Sequence, residues 1–361
     1  MKFKLNTQVL TPSNASPALT SASTVSAVIQ MQKLRLEGFW VDFKYTNHGT
    51  APADGGPDGA AGFIKEIRLR VNDRAGARNA VKITGPGVLS FVQNNVGYLG
   101  RASSFSYGND VHLVAGATYQ VMIYVPIRPL WMEEPFGNLM SIPMDNTQLN
   151  ENAVIEVDIR SASEVQQTNL STASTIKITA VLRDVAPNVP YITSELVSDK
   201  FKPTTTSGAR FELPQAGFLT QLLIQGYSSD TYATTVTRAD TLSSGGFLSF
   251  EYGRNVERKY YRELLQETND LTRFANPGAS GSDLAKRVFT DEYFVDFITD
   301  TPQGNAFSVE SLPNLNADAL GGDRAAIVFA DYANAAYQAV ITRHSILAKS
   351  LGELKQLLVA I

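Results

Sequence analysis

The residues of this chain best suited to chemistry are two adjacent acidic pairs, Glu133-Glu134 and Asp291-Glu292. Two carboxylates flanking one bond could cleave a glycosidic linkage by general acid–base catalysis. Neighbouring residues on a strand point to opposite faces, however, so neither pair converges on one bond by itself. The three histidines, His48, His112 and His344, lack the mutual spacing of metal ligands. Asp54 and Asp58, in ADGGPDG, offer two carboxylates where calcium takes about six to eight oxygens. Residues 278–282 read GASGS rather than the G-x-S-x-G of a nucleophile elbow. Gly85-Pro86-Gly87 is followed by no Lys-Ser or Lys-Thr that would complete a phosphate loop. The chain has no cysteine, which excludes disulfides, thiolate-bound zinc and thiol nucleophiles. These residues predict no catalytic, cofactor or metal site, and a protein that is not an enzyme.

Composition points towards assembly instead. A chain of 361 residues suits two domains better than one core. Charged residues make up 18% of it, below the roughly 25% of ordinary globular proteins. A surface poor in charge and rich in Ser, Thr, Asn and Ala suits a protein that buries much of its outside against neighbours. The net charge of −4 gives no electrostatic basis for wrapping nucleic acid. Met1 to Leu10 has no continuous apolar stretch and reads as neither a secretory signal nor a transit peptide. No apolar run is long enough for a membrane-spanning helix, so a protein soluble when made is expected.

The elements that would position these residues are mostly strands. Leu34–Thr46, Gly62–Asn72, Thr118–Ile127, Ala153–Ile159 and Thr175–Leu182 alternate apolar and polar residues with period two. Arg287–Ile298 and Ala325–His344 supply the last strands. Helices are expected at Val88–Val96 and at Asn255–Phe274, where Val256, Tyr260, Leu264, Leu271 and Phe274 recur at helical spacing. At the end of the chain Leu347, Leu351, Leu354 and Leu358 form one apolar face of an amphipathic helix. Long polar loops fall at 47–61, 126–150 (holding Trp131 and Phe136) and 228–246. Many short strands with little helix predict an all-β chain of two tandem eight-stranded jelly rolls, with short helices in the connections. The prolines of VAPNVP, Val185–Pro190, mark the linker. The expected domains are an N-terminal arm over 1–23, a first roll over 24–188, a second over 189–345 and a helix over 346–361.

Ordered echoes between the two halves support a repeat. Gly62–Arg70, GFIKEIRLR, has the layout of Gly217–Gln225, GFLTQLLIQ. Leu89-Ser90-Phe91 and Asn95-Val96 recur as Leu248-Ser249-Phe250 and Asn255-Val256. Tyr119, Val121 and Ile123 match Tyr293, Val295 and Phe297, and Ala180-Val181-Leu182 matches Ala339-Val340-Ile341. The offset drifts, as it does when loops change length and strands do not.

Two successive jelly rolls, a polar arm, low charge and no catalytic constellation resemble the double jelly-roll major capsid proteins of tailless icosahedral viruses, such as tectiviruses and corticoviruses. The paired pieces at Leu89–Val96 and Leu248–Val256 carry the resemblance. It implies a homotrimer whose six rolls form a pseudo-hexagonal capsomer. The virion capsid of a bacteriophage-like virus would be its location, after synthesis as a soluble protein in the host cytoplasm. Its partners would be itself, neighbouring capsomers, minor capsid or vertex proteins and, in many members, an internal viral membrane, with no sequence-specific nucleic-acid binding and no cofactor. The three long loops would be outward or intersubunit loops. In the arm, Lys2, Phe3, Lys4 and Leu5 alternate cation with apolar group. That pattern suits a shell's inner face, where the lysines would meet anionic headgroups or nucleic acid. The arm is otherwise expected as an edge strand on a neighbouring subunit, in either case mobile until assembly. Two rivals stand beside this function: a double jelly-roll carbohydrate-active or amidase-type enzyme, which would cluster carboxylates and aromatics in one cleft, and a phage fibre or adhesin module.

Overall fold

A computed structural model describes the chain apart from residues 1–4, 51–57, 74–75, 98–115, 128–139, 146–148, 167–168, 185–190, 253–254, 264, 266–291, 298–311 and 360–361. Two units divide it. The first comprises Met1–Val92, Ser104–Val197 and Thr231–Thr237; the second comprises Gln93–Ser103, Ser198–Asp230 and Arg238–Ile361.

The first roll runs β1 (Leu5–Leu10), β2 (Ser23–Ile29), β3 (Arg35–Thr46), β4 (Ile64–Asp73), β5 (Gly76–Ile83), α1 (Gly85–Gly97), β6 (Thr118–Pro126), β7 (Ile142–Pro143), β8 (Ala153–Ile159), α2 (Ala162–Val165) and β9 (Ser174–Arg183). One sheet has the order β1-β9-β3-β6, and β2-β8-β4-β5 are neighbours in the other. The short β7 only pairs with the start of β3. Leaving β7 aside, eight strands stand in the orders 1-8-3-6 and 2-7-4-5, the two interlocked Greek keys of a jelly roll.

Alternation builds the core. Phe39, Val41, Phe43 and Tyr45 of β3 are buried, while Trp40, Asp42 and Lys44 between them are partly exposed. Val41 lies across from Ile178 of β9 and Ile123 of β6. On the facing sheet Ile67, Leu69 and Val71 are buried, with Val157 and Ile155 opposite the first two. The Phe43, Tyr45 and Phe63 rings meet with centroids 4.6–6.2 Å apart. Truncating such a ring to alanine costs about 3–5 kcal/mol. The other face of β4 and β8 is polar: Arg68 bridges Glu66 at 2.8 Å, Asp158 at 2.9 Å and Glu156 at 3.0 Å. Partial burial would lower the Arg68 pKa, but hydrogen bonds to Glu156 and Glu66 and the nearby Asp158 carboxylate raise it above its ordinary value.

The second roll runs β10 (Ser194–Phe201), β11 (Ser207–Glu212), β12 (Phe218–Tyr227), β13 (Phe247–Tyr252), β14 (Asn255–Tyr261), β15 (Glu292–Asp296), α3 (Ala317–Leu320), β16 (Ala325–Asp331) and β17 (Gln338–Ile346), followed by α4 (Leu351–Val359). Its strands stand as β10-β17-β12-β15 and β11-β16-β13-β14. Counted within the roll these are again 1-8-3-6 and 2-7-4-5. The fold is two tandem eight-stranded jelly rolls, with short helices and a C-terminal helix.

The echoes divide on this frame. Tyr119–Ile123 and Tyr293–Val295 fall on β6 and β15, the sixth strands, and Ala180–Leu182 and Ala339–Ile341 fall on β9 and β17, the eighth strands. The other pairings do not correspond. Ile64–Arg70 lies on β4, a fourth strand, whereas Phe218–Gln225 lies on β12, a third. Leu89–Val96 is helical, in α1, whereas Leu248–Phe250 and Asn255-Val256 are extended, in β13 and β14. The repeat is therefore one of topology, and the pieces that carried the resemblance are not its counterparts.

Three further expectations are corrected. Residues 5–23 are not a mobile arm, because Leu5–Leu10 is the first strand of the roll, paired with Arg183–Ile178 of its own chain. The polar stretch after it is anchored through backbone bonds, Ser13 N to Ser26 O at 2.7 Å and Leu19 N to Thr172 O at 3.0 Å, and by the fully buried Leu19. Composition does not register that kind of anchoring. Asn255–Tyr261 is a strand rather than a helix: its register on β13 places Tyr260 opposite Leu248 and Arg258 opposite Phe250. Arg262, Glu263 and Leu265, next along that expected helix, are helical, and its residues 264 and 266–274 lie outside the described residues, as does the linker 185–190. At the C-terminus β17 extends through Ile346, and α4 begins at Leu351, where Ser350 Oγ accepts from Glu353 N at 3.1 Å.

Candidate functional site

Of the acidic pairs, Glu133, Glu134 and Asp291 lie outside the described residues, and Glu292 lies on β15. Glu292 is buried, accepts from Gln225 Nε2 at 2.6 Å and pairs with Arg238 Nη1 at 3.1 Å. A carboxylate held in this way is paired with a cation within the fold. His344, on β17, is 1% exposed, with Nδ1 2.5 Å from Thr220 Oγ1, and that hydroxyl donates to the His344 carbonyl at 2.9 Å. His48 is exposed and accepts from Thr50 N at 3.2 Å. His112 and Asp54 lie outside the described residues, and Asp58 is buried. Among the described residues no three His, Asp or Glu side chains are grouped so as to hold a metal. Of the arm residues, Lys2, Phe3 and Lys4 lie outside the described set and Leu5 opens β1.

Sequence reasoning missed two features of surface and core. The first is a set of buried polar groups in the sheet of β10, β12, β15 and β17. Gln221 Nε2 reaches Asp296 Oδ2 at 3.2 Å, Ser198 Oγ lies 2.7 Å from Thr342 Oγ1, and Arg343 pairs with Asp199. The polar letters of β12 and β17 had no period to reveal them. The second is a groove of about 410 Å³ along β1 and β2, lined by Gln8, Val9, Thr11, Ser26, Val28 and Gln30 among others, none of them titratable. Val9 is 61% and Val28 42% exposed there, with Met31 just beyond. Exposed aliphatic groups beside two strands at sheet ends are suited to contact another polypeptide rather than to chemistry.

The expected outer loops differ among themselves. Residues 51–57 and 128–139 fall outside the described set. Of the 228–246 loop, Thr231–Thr237 belongs to the first unit, where the Arg160 guanidinium covers the Tyr232 ring at 3.7 Å. Arg160 Nη1 also donates to the Gly62 carbonyl at 2.6 Å. No helix among the described residues is long and apolar enough to cross a membrane.

No family model and no curated protein matches the sequence. Solved structures do. The STIV MCP, from Sulfolobus Turreted Icosahedral Virus, superposes with a TM-score of 0.62 at 11% identity, covering 98% of each chain. The Faustovirus major capsid protein gives 0.54 at 10% identity, over 97% of this chain and 91% of its own. The major capsid protein of bacteriophage PM2 gives 0.51 at 12% identity, over 96% and 99%. The fold is the double jelly roll of viral major capsid proteins. The likeness covers both rolls in each case, so the tandem arrangement itself is shared, and not merely one sandwich within it.

Proposed function

We propose that the protein is the major capsid protein of an icosahedral virus, forming homotrimers that serve as pseudo-hexagonal capsomers. The observation that carries this is the same eight-strand order built twice in one chain. Three such chains present six like wedges, so a trimer can occupy near-sixfold lattice positions through quasi-equivalent contacts. Low charge and the exposed aliphatic groups of β1 and β2 support burial between copies. The neutralised Glu292 and the buried His344 support a structural role over the enzyme alternative. The virion is the proposed location, with neighbouring capsomers and minor capsid proteins as partners. Lys2, Phe3 and Lys4, just ahead of β1, are proposed to face the shell interior and meet anionic lipid headgroups or nucleic acid.

Light scattering and electron micrographs of the purified protein test the proposal. A stable trimer that assembles into hexagonal tiles or shells is expected. A monomer throughout the micromolar range overturns it. Deleting residues 2–4, which spares β1, should leave the trimer intact and reduce binding to anionic vesicles; unchanged vesicle binding removes the interior role of those residues.

A further inference from the structure

The two rolls differ at one pair of edges. In the first unit the fifth strand, β5, does not end its sheet: β10 lies alongside it in parallel, with Leu196 opposite Val81 and Val197 opposite Lys82. Both residue pairs lie within the first unit. In the second unit the equivalent fifth strand, β14, is the last strand of its sheet among the described residues. The equivalent first strand of the first roll, β1, likewise ends its own sheet, with β9 on one side only.

Among the described residues neither edge is extended, and both carry exposed apolar groups. β1 presents Val9, and β14 presents Val256 at 48% and Tyr261 at 50% exposure. A terminal strand bearing exposed apolar side chains is a template for another strand unless charge or a covering segment blocks it. β1, LNTQVL, contains no charged residue, and the groove beside it is open and uncharged.

Resting on the capsomer reading above, the geometry points to β1 of one copy adding in parallel to β14 of the next copy. This is the intermolecular counterpart of the β5–β10 pairing within each chain. By position along the strands, the end of β14 near Tyr260 and Tyr261 meets the middle of β1, and the groove beside β1 receives apolar side chains of β14. The contact is heterologous, joining different patches, and a heterologous contact repeated with the right rotation closes into a ring. Main-chain hydrogen bonds supply affinity and the flanking side chains set register, as in other strand-addition interfaces.

The absence of native cysteine permits a direct test. Val9→Cys and Tyr261→Cys variants of the full chain are expressed singly and together, and treated with a short bis-maleimide. Expected is a covalent dimer containing one copy of each variant, formed only in the co-expressed sample. A trimer by light scattering that yields no such product overturns the strand-addition contact and leaves the capsomer proposal standing. A monomeric wild-type protein overturns both. A second variant, Val9→Lys with Tyr261→Lys, places like charge on both edges and should raise the protein concentration at half-dissociation at least tenfold. Its circular dichroism should be unchanged, since both side chains are exposed. Unaltered trimer stability in that variant also overturns the inference.

Discussion

β3 and β12 hold the same third position in their rolls and lie between equivalent neighbours, β9 and β6 for one, β17 and β15 for the other. Their burial differs. β3 keeps Trp40, Asp42 and Lys44 partly exposed behind its apolar row, while every residue of β12 and of β17 is buried. One topology is thus built once with a sheet that meets water and once with a sheet covered on both faces. Polar groups on the covered face must find partners, since an unpaired buried polar group costs about 1–3 kcal/mol. Gln221 with Asp296, Gln225 with Glu292 and Thr342 with Ser198 meet that requirement. The topology is set by strand pairing, and the side-chain alphabet then follows from what lies against each face.

The sharpest way to break this comparison is to remove a cation from each roll. Arg238→Ala leaves Glu292 buried without its charge partner and should lower unfolding free energy by about 3–5 kcal/mol in urea titrations. Arg70→Ala removes one of the two partners of Glu156, which keeps Arg68, at a position where the arginine side chain is 62% exposed, and should cost under about 1 kcal/mol. Equal losses would show that the covered sheet of the second roll is wet in solution.

The same contrast explains what was legible in the sequence. β3, β6, β8 and β9 each bury alternate residues over much of their length, and their period-two pattern located them. β12 has no such pattern, so the alignment GFIKEIRLR with GFLTQLLIQ matched an alternating strand to a fully buried one and slipped by one strand position. β14 was misread because its apolar letters, Val256 and Tyr260, fit a four-residue spacing as well as a two-residue one. β1 was expected only as an edge strand on a neighbouring subunit, through Phe3, Leu5 and Val9, because an end strand needs few apolar letters: its backbone bonds to β9 of its own chain and the buried Leu10 suffice. The surface edges left no sequence signal, because an exposed valine is unremarkable until its strand is known to end a sheet.

Close packing offers a second, smaller contrast. A Cβ on Gly226, at the end of β12, would lie 1.8 Å from the Ala239 carbonyl oxygen, which is backbone and cannot swing away. Gly226→Ala should therefore cost about 1–3 kcal/mol. Gly49, after β3, has nothing within 4 Å of such a Cβ, and Gly49→Ala should leave the unfolding midpoint nearly unchanged. A mild Gly226→Ala would mean that the segment Arg238–Leu242 is not seated against β12.

Ionisation at high pH compares the two cores directly. Burial raises the Tyr45 hydroxyl pKa in the first roll above the ordinary 10.0, with Tyr119 adding to it. Burial and the bond to Asp240 do the same for Tyr293 in the second, and burial for Tyr332. A folded-state pKa above the unfolded one gives stability that is fully present below about pH 10 and is lost as pH rises towards the folded value. Stability should accordingly fall above that pH, and Tyr45→Phe or Tyr293→Phe should each flatten the decline. Tyr293→Phe should also cost about 1–2 kcal/mol at neutral pH, because the Asp240 carboxylate loses a donor. A decline of unchanged slope in both variants would place these hydroxyls in water.

The smallest effect separates two Ser-x-x-Glu sequences, Ser161–Glu164 before α2 and Ser350–Glu353 before α4. They look alike but are wired differently. At α2 the Glu164 carboxylate accepts from both the Ser161 amide and the Ser161 hydroxyl, each at 2.9 Å, and the amide bond survives loss of the hydroxyl. At α4 the Ser350 hydroxyl itself accepts from the Glu353 amide, and the Glu353 carboxylate accepts from Lys349 N at 2.6 Å. Ser350→Ala should thus cost about 1 kcal/mol, the usual value of a helix N-cap, and Ser161→Ala markedly less. Hydrogen exchange locates the loss: amides of α4 should exchange faster in Ser350→Ala, while the buried Leu354 keeps the helix docked and global unfolding little changed. Equal protection in both variants would mean that α4 is held by Leu354 alone, and that its hydroxyl cap contributes nothing that packing does not already supply.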